Sequence, residues 1–225
     1  MSGTALIAGA TGLVGGFLLK RLLDAPQYGQ VVVVTRRKLG FDHPRLTEIV
    51  TDFDTLELAL AKSAIHVDDA FCALGTTIKK AGSQPAFRRI DFDYIVNFAR
   101  AAKAAGATRF LLVSAIGASA RSSVFYSRVK GETEDAVASL GFEACHMFRP
   151  GLIFGERSER RPAEAAMMAA MPFLNALLVG PAKVYRGIPA DTIAAAMVEA
   201  ATTPETGRIV HTYSSMQTLA AKGGR

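Results

Sequence analysis

At 225 residues, half of them hydrophobic and 20% charged, the chain has material for one α/β core and too little charge for a disordered one. A net charge of +6 suits an anionic small molecule, while no Lys/Arg block or basic-aromatic pattern supports nucleic-acid binding. Cys72 and Cys145 are the only cysteines; they lack metal-ligand spacing and read as buried reduced thiols.

An apolar strand is predicted at residues 4–8, running straight into Gly9-Ala10-Thr11-Gly12-Leu13-Val14-Gly15. A helical pattern follows (Phe17, Leu18, Leu22, Leu23), then a second strand at 31–34 that closes on Thr35-Arg36-Arg37. Strand, glycine turn, helix and strand in one short unit is what a dinucleotide-binding half-fold requires. The glycines permit a tight turn and let backbone N–H groups approach a pyrophosphate, which the positive end of the helix favours. Gly9, Thr11, Gly12, Leu13, Val14 and Gly15 are the candidate phosphate loop. An acidic residue at the end of the second strand would accept hydrogen bonds from a ribose 2′-hydroxyl, whereas arginine accommodates a 2′-phosphate. Arg36 and Arg37 stand there, with no carboxylate before Asp42. A guanidinium meets phosphate bidentately, so the pattern favours NADPH over NADH; two solvated surface arginines are the alternative.

Further strands are predicted at 46–50, 69–74, 109–114, 142–148 and 208–211, and helices at 56–62, 85–105, 123–140, 159–178 and 189–201. This alternation implies right-handed crossovers and a Rossmann-like, doubly wound parallel sheet with helices on both faces. No repeat or linker divides the chain, so 1–225 is one domain, with 155–183 as a small substrate cap and the last four residues frayed. Ligands of such sheets bind beyond the carboxyl ends of the strands. Asp52 is a candidate partner for an adenine amino group and Phe53 for its ring face. In Leu74-Gly75-Thr76-Thr77, Gly75 would let the backbone pass close to a cofactor; ordinary loop chemistry is the alternative for all of these. His43, His66, His146 and His211 are scattered and form no ligand cluster in sequence; His146 reads as a satisfied core histidine, and no metal is expected.

Ser114 ends a predicted strand, and Tyr126-Ser127-Arg128-Val129-Lys130 starts a helix twelve residues later. Tyr and Lys four apart share a helical face. An ammonium near a phenol favours the phenolate, which can take or return a proton at a carbonyl or alcohol oxygen while a nicotinamide exchanges hydride. Ser114 would orient that oxygen, and Lys130 would also hold the nicotinamide ribose. The bland alternative is a surface helix pair. Ser119, Ser122, Ser123 and Ser127 read as loop, cap or exposed helix residues.

With these residues the chain resembles the short-chain dehydrogenase/reductase superfamily, in the Gly-x-x-Gly-x-x-Gly form of its extended and atypical members. Cys72-Ala73-Leu74-Gly75-Thr76-Thr77, Arg89-Ile90-Asp91-Phe92-Asp93-Tyr94, the segment from Tyr126 to Glu132, and Phe148-Arg149-Pro150-Gly151 resemble, in the same order, the atypical branch of Tat-interacting-protein-like oxidoreductases. The likeness covers nearly the whole chain. It implies NADPH binding, the reductase roles for Ser114, Tyr126 and Lys130, and backbone near Pro150 and Ile153 meeting the nicotinamide. Asn97 falls near the superfamily's helix asparagine; the branch varies there, and no role is carried over. Some members of the branch act as regulators or assembly factors, and homodimers are common in the superfamily by analogy.

Little of the chain after Lys130 remains for substrate binding. The cap candidate opens with charge (Glu156, Arg157, Glu159, Arg160, Arg161) and turns apolar through Met167, Met168, Met171, Phe173, Leu174, Leu177 and Leu178. It suggests a hydrophobic carbonyl substrate or a partner contact, with core packing the stronger alternative. Two charge-free stretches raise a membrane question. The first, 1–19, lacks a basic start and carries the glycine loop, and the second, 165–182, contains Pro172, Asn175 and Gly180. Neither reads as transmembrane, no stable membrane insertion is expected, and a cytoplasmic location follows as the default. The leading expectation is an NADPH-dependent oxidoreductase of a small carbonyl or alcohol. A non-catalytic NADPH-binding regulator comes second; a nucleotide-sugar epimerase, which usually carries a larger C-terminal lobe, comes third.

Overall fold

The computed structural model describes residues 2–155, 175 and 178–223. In chain order its elements begin with β1 (Gly3–Ala8), α1 (Leu13–Asp24), β2 (Tyr28–Thr35), β3 (Leu46–Val50), α2 (Leu56–Ser63) and β4 (Asp69–Cys72). Two short helices, α3 (Ile78–Ala81) and α4 (Gln84–Arg88), lead through a π-helical turn (Arg89–Asp93) into α5 (Tyr94–Ala104). Then come β5 (Arg109–Val113), α6 (Phe125–Ala138), β6 (Ala144–Phe148) and β7 (Ile153–Phe154). A 3₁₀ turn (Gly180–Tyr185), β8 (Ile188–Pro189), α7 (Ala190–Ala200), β9 (Gly207–His211) and α8 (Tyr213–Lys222) complete the described chain.

Seven strands form one parallel sheet in the order β3-β2-β1-β4-β5-β6-β9. All seven strands expected from the sequence are present. Their apolar runs are nearly continuous because both faces are covered, as parallel sheets require. The order reverses between β1 and β4, which opens a crevice beyond their carboxyl ends. Strand alternation then divides the core in two. Ile7, Val31 and Val33 face Leu18 and Leu22 of α1, Ile193 and Met197 of α7, and Met216 of α8. Leu6, Val32 and Val34 face Leu56 and Leu60 of α2, Ile95 and Phe98 of α5, and Val137 of α6.

Polar clamps join these layers. Arg21 on α1 grips Asp191 on α7 with two bonds of 2.8 Å. Buried Asp69 accepts from the Tyr28 hydroxyl at 2.5 Å and from Arg109 Nε at 2.6 Å. Glu134 of α6, fully buried, receives Arg149 at 2.9 and 2.5 Å and Arg208 at 2.7 Å, tying the helix to the ends of β6 and β9.

Three differences from the sequence reading have physical causes. The helix expected over 85–105 is interrupted by the π-helical turn, whose wider winding turns Asp91 into the interior, where it is fully buried. Lys222, expected in a frayed end, instead closes α8; the helix starts on a reciprocal cap between Thr212 and Ser215. The isolated β7-β8 pair, Ile153 with Ile188, was also not foreseen. Most of the expected helix 159–178, and of the cap 155–183, lies outside the described residues. No described helix is long and apolar enough to cross a membrane.

On the α7/α8 face, His146 Nδ1 lies 2.9 Å from His211 Nε2. The ring planes differ by only 8° and the centroids are 5.2 Å apart, so the two imidazoles meet end to end and share one hydrogen bond. Burial, with the neighbouring His211 and Arg109, pushes His146 down to about 4, and burial also lowers His211. The folded pair is therefore neutral at pH 7.

Two expectations follow. Glu134→Gln, by removing the buried charge that two arginines share, should lower the unfolding free energy by about 2 kcal/mol, read from denaturant midpoints. As pH falls from 6.5 toward 4, the unfolded chain takes up a proton that folded His146 refuses, so stability should decline across that window by up to about 1.4 kcal/mol per unit. The decline should be shallower in His146→Gln, which loses the titration but can keep a bond to His211.

Candidate active site

The turn between β1 and α1 tolerates no side chain at two of its glycines. Gly9 has φ +87°, and a Cβ there would lie 2.5 Å from the carbonyl carbon of Ala73. A Cβ on Gly15 would lie 1.9 Å from the Gly9 carbonyl oxygen. The Gly12 N–H donates to that same oxygen at 2.9 Å, and no side chain caps α1 at its N-cap, Gly12. Donors of the first helical turn are thus left for an anion. Thr11 and Gly12 are exposed, Leu13 is half-buried, and the Val14 side chain and Gly15 are buried in packing, so those two offer only backbone to a ligand. The cradle fits a dinucleotide pyrophosphate.

Arg36 and Arg37 are exposed just beyond β2 and form no ion pair among the described residues. The Thr35 hydroxyl donates to the Arg37 carbonyl at 2.7 Å and shapes the turn that carries them. Asp52 is exposed and accepts the Asp54 N–H at 3.1 Å. Phe53 requires a correction: it is 4% exposed and its ring stacks on Tyr94 at 5.3 Å, so the core, rather than an adenine, has its face. Asn97 donates from Nδ2 to the Phe53 carbonyl at 3.4 Å, a loop-holding contact.

Across the crevice, Ser114 follows β5 with its N–H donating to the Phe148 carbonyl at 2.7 Å. Its hydroxyl is buried and has no hydrogen-bond partner among the described residues. The loop after it lies on α6: the Ser119 N–H donates to the Ser127 carbonyl at 3.0 Å, and Arg128 Nη1 donates to the Ser122 carbonyl at 3.0 Å. Gly131 makes that contact possible, because a Cβ there would sit 2.2 Å from the backbone of Ser119 and Ala120. Tyr126, half-buried, packs its ring against Phe87 with centroids 5.4 Å apart.

Lys130, one turn further along α6, is 5% exposed, and its Nζ lies 2.7 Å from Asp91 Oδ1. Burial opposes its charge, but Asp91 and Tyr126 outweigh that and hold the ammonium above its ordinary value. The second Asp91 oxygen accepts the Thr76 N–H at 2.9 Å, and the Thr133 hydroxyl donates to the Asp91 carbonyl at 2.7 Å. A Cβ on exposed Gly75 would be 3.4 Å from Asp91 Oδ1 and 3.6 Å from Lys130 Nζ, so Gly75 passes directly over this pair. Leu74, half-buried, packs into the core beneath the same loop. Sequence reasoning missed Asp91. The available signal was a carboxylate in the stripe Phe87, Asp91, Ile95, Phe98, whose other members are apolar and buried.

Pro150 has no N–H, and its carbonyl accepts the Ile116 N–H at 2.9 Å. Ile153 is half-buried in β7; near it, a Cβ on Gly155 would meet Leu13 at 3.4 Å, which brings this segment against the glycine loop. Burial pushes the Cys72 thiol up to about 12 and the Cys145 thiol up to about 11. The histidines scattered in sequence partly converge: His146, Glu205 and His211 bring one ligand atom each within 4.8 Å of one another, although the two imidazoles already bond each other.

Residues 9–140 match a family described as NAD(P)H-binding. The chain is 36% identical over 209 residues to Protein HTATIP2 of Rattus norvegicus, covering 92% of this chain and 84% of that protein. It is 39% identical over 212 residues to Protein fmp52, mitochondrial, of Aspergillus clavatus, covering 89% and 87%. Among solved structures, MoeE5 in complex with UDP-glucose and NAD superposes with a TM-score of 0.68 at 17% identity, over 98% of this chain and 81% of that one. A uronate dehydrogenase from Agrobacterium tumefaciens gives 0.66 at 16%, over 93% and 75%. At such identities the structures establish the fold, while the family match and the sequence relatives establish kinship. This chain therefore belongs to the NAD(P)H-binding Rossmann family, in its Tat-interacting-protein-like oxidoreductase branch.

Proposed function

We propose that this protein is an NADPH-dependent oxidoreductase of a small carbonyl or alcohol, working through Ser114, Tyr126 and Lys130. The observation that carries the reading is the Ser114 hydroxyl, buried at the carboxyl end of β5 without a partner among the described residues. Burying an unbonded hydroxyl is costly unless a ligand completes it, and a substrate oxygen is the group that suits it. Ser114 would donate to that oxygen and fix its position. Tyr126 would give or take the proton at the same atom, with Lys130 on the same helical face supplying positive charge beside the phenol. Gly9, Gly12 and Gly15 with the uncapped start of α1 would hold the pyrophosphate, and Arg36 and Arg37 a 2′-phosphate. When bound, the nicotinamide supplies or accepts the hydride.

Tyr126→Phe should cut carbonyl-dependent NADPH consumption by roughly 10²-fold or more while leaving the NADPH dissociation constant within a few-fold, measured by steady-state kinetics and calorimetry. Unchanged turnover would remove the phenol from the chemistry; tight NADPH binding with no turnover across a carbonyl library would point to a regulator. Replacing the arginines together, Arg36→Asp with Arg37→Ala, should weaken NADPH about tenfold or more and leave NADH little affected, because the lost charge-assisted bonds go only to the extra phosphate. Equal losses for both coenzymes would overturn the NADPH preference.

A further inference from the structure

We infer that Asp91 is a positioning residue for the coenzyme, holding Lys130 and the loop after β4 in place to receive the ribose on its nicotinamide side. The inference rests on the reading above and deepens it, by naming what sets the ribose end of the same crevice. Its ground is one fully buried carboxylate that joins two elements. Asp91 Oδ1 lies 2.7 Å from Lys130 Nζ of α6, and Oδ2 accepts the Thr76 N–H at 2.9 Å.

The strand order decides which part of a dinucleotide meets these groups. Running from β2 through β1 to β4 and β5, it passes Arg36 and Arg37, then the glycine turn, then Gly75 and Thr76, and last Ser114. A coenzyme with its 2′-phosphate at the arginines and its pyrophosphate at the turn has its second ribose next, over the loop after β4. Gly75 lies directly on the pair there, since a Cβ on it would be 3.4 Å from Asp91 Oδ1 and 3.6 Å from Lys130 Nζ.

Charge decides what Lys130 offers at that point. An ammonium alone suits a phosphate, whereas one paired with a carboxylate is nearly neutral and suits a hydroxyl, which can accept its N–H. Burial opposes the charge of Lys130, and Asp91 is the largest of the groups that restore it. The lysine and aspartate side chains are 6% and 0% exposed, so neither can turn to water for another partner. Asp91 is itself held from three directions. The π-helical turn carries it inward, Thr76 bonds its side chain, and the Thr133 hydroxyl of α6 donates to its carbonyl at 2.7 Å. The ammonium and the loop backbone are therefore fixed before a ligand arrives, and little ordering is left to oppose binding.

The test uses Asp91→Asn, which keeps an oxygen for the Thr76 N–H and removes the charge. Calorimetry compares two ligands: NADP⁺, and adenosine 2′,5′-bisphosphate, which carries the adenosine half and lacks the second ribose. Asp91→Asn should weaken NADP⁺ about tenfold or more and leave the bisphosphate within about twofold of wild type, a selective loss that general damage to the fold would not give. In a Lys130→Met background the same substitution should change NADP⁺ binding by less than about twofold, because the carboxylate charge acts through the lysine. Hydrogen exchange on the coenzyme-free wild type, which needs no variant to fold, should find the Thr76 N–H already protected. Unchanged NADP⁺ binding in Asp91→Asn, equal losses for both ligands, an undiminished loss in the Lys130→Met background, or a Thr76 amide that exchanges freely until NADP⁺ is added would each overturn the inference. Those results leave the oxidoreductase reading intact. That reading falls, and the inference with it, if the wild type binds neither ligand.

Discussion

A lysine ammonium removed from water is the constraint around which the upper half of this sheet is organised. Lys130 is 5% exposed, and a buried charge persists only where another charge and its hydrogen bonds complete it. Asp91 answers it at 2.7 Å. Getting that carboxylate into the interior requires the helix before it to widen into a π-helical turn, and the remaining oxygen recruits the Thr76 N–H. One buried charge therefore fixes a helix irregularity and a loop, with Gly75 passing over the pair.

The opposite wall of the crevice obeys a steric constraint instead. Gly9 and Gly15 bring the first turn so close to Ala73 and to itself that a single methyl group would collide with backbone. The result is an uncapped helix start facing the point where strand order reverses. Electrostatics sets one wall and van der Waals contact the other. Ser114 follows β5, the strand next to β4 on the side away from β1.

The sheet was legible because covered parallel strands are written as apolar runs, and residues such as Val31 to Val34 have no other reading. The glycine turn was legible because its chemistry is local. Asp91 was not, since a π-helical turn barely disturbs helical periodicity and the lysine it meets is thirty-nine positions away. Phe53 misled because an aromatic residue after a strand end suits a base as well as a core, and only the position of Tyr94 decides. The His146–His211 bond was out of reach for a different reason: it depends on the register between β6 and β9, which no local pattern encodes.

The distribution of the core along the chain has a consequence for synthesis. The face of the sheet under α1 is closed by α7 and α8, and Arg21 finds Asp191 one hundred and seventy positions later. The other face is closed by α2, α5 and α6, all made before β6. A nascent chain can thus bury one side of its sheet early, while the side that α1 covers only in part stays partly wet until α7 and α8 have left the ribosome. For that interval the growing polypeptide is half a sandwich, exposed to chaperones and to truncation in a way the finished molecule is not.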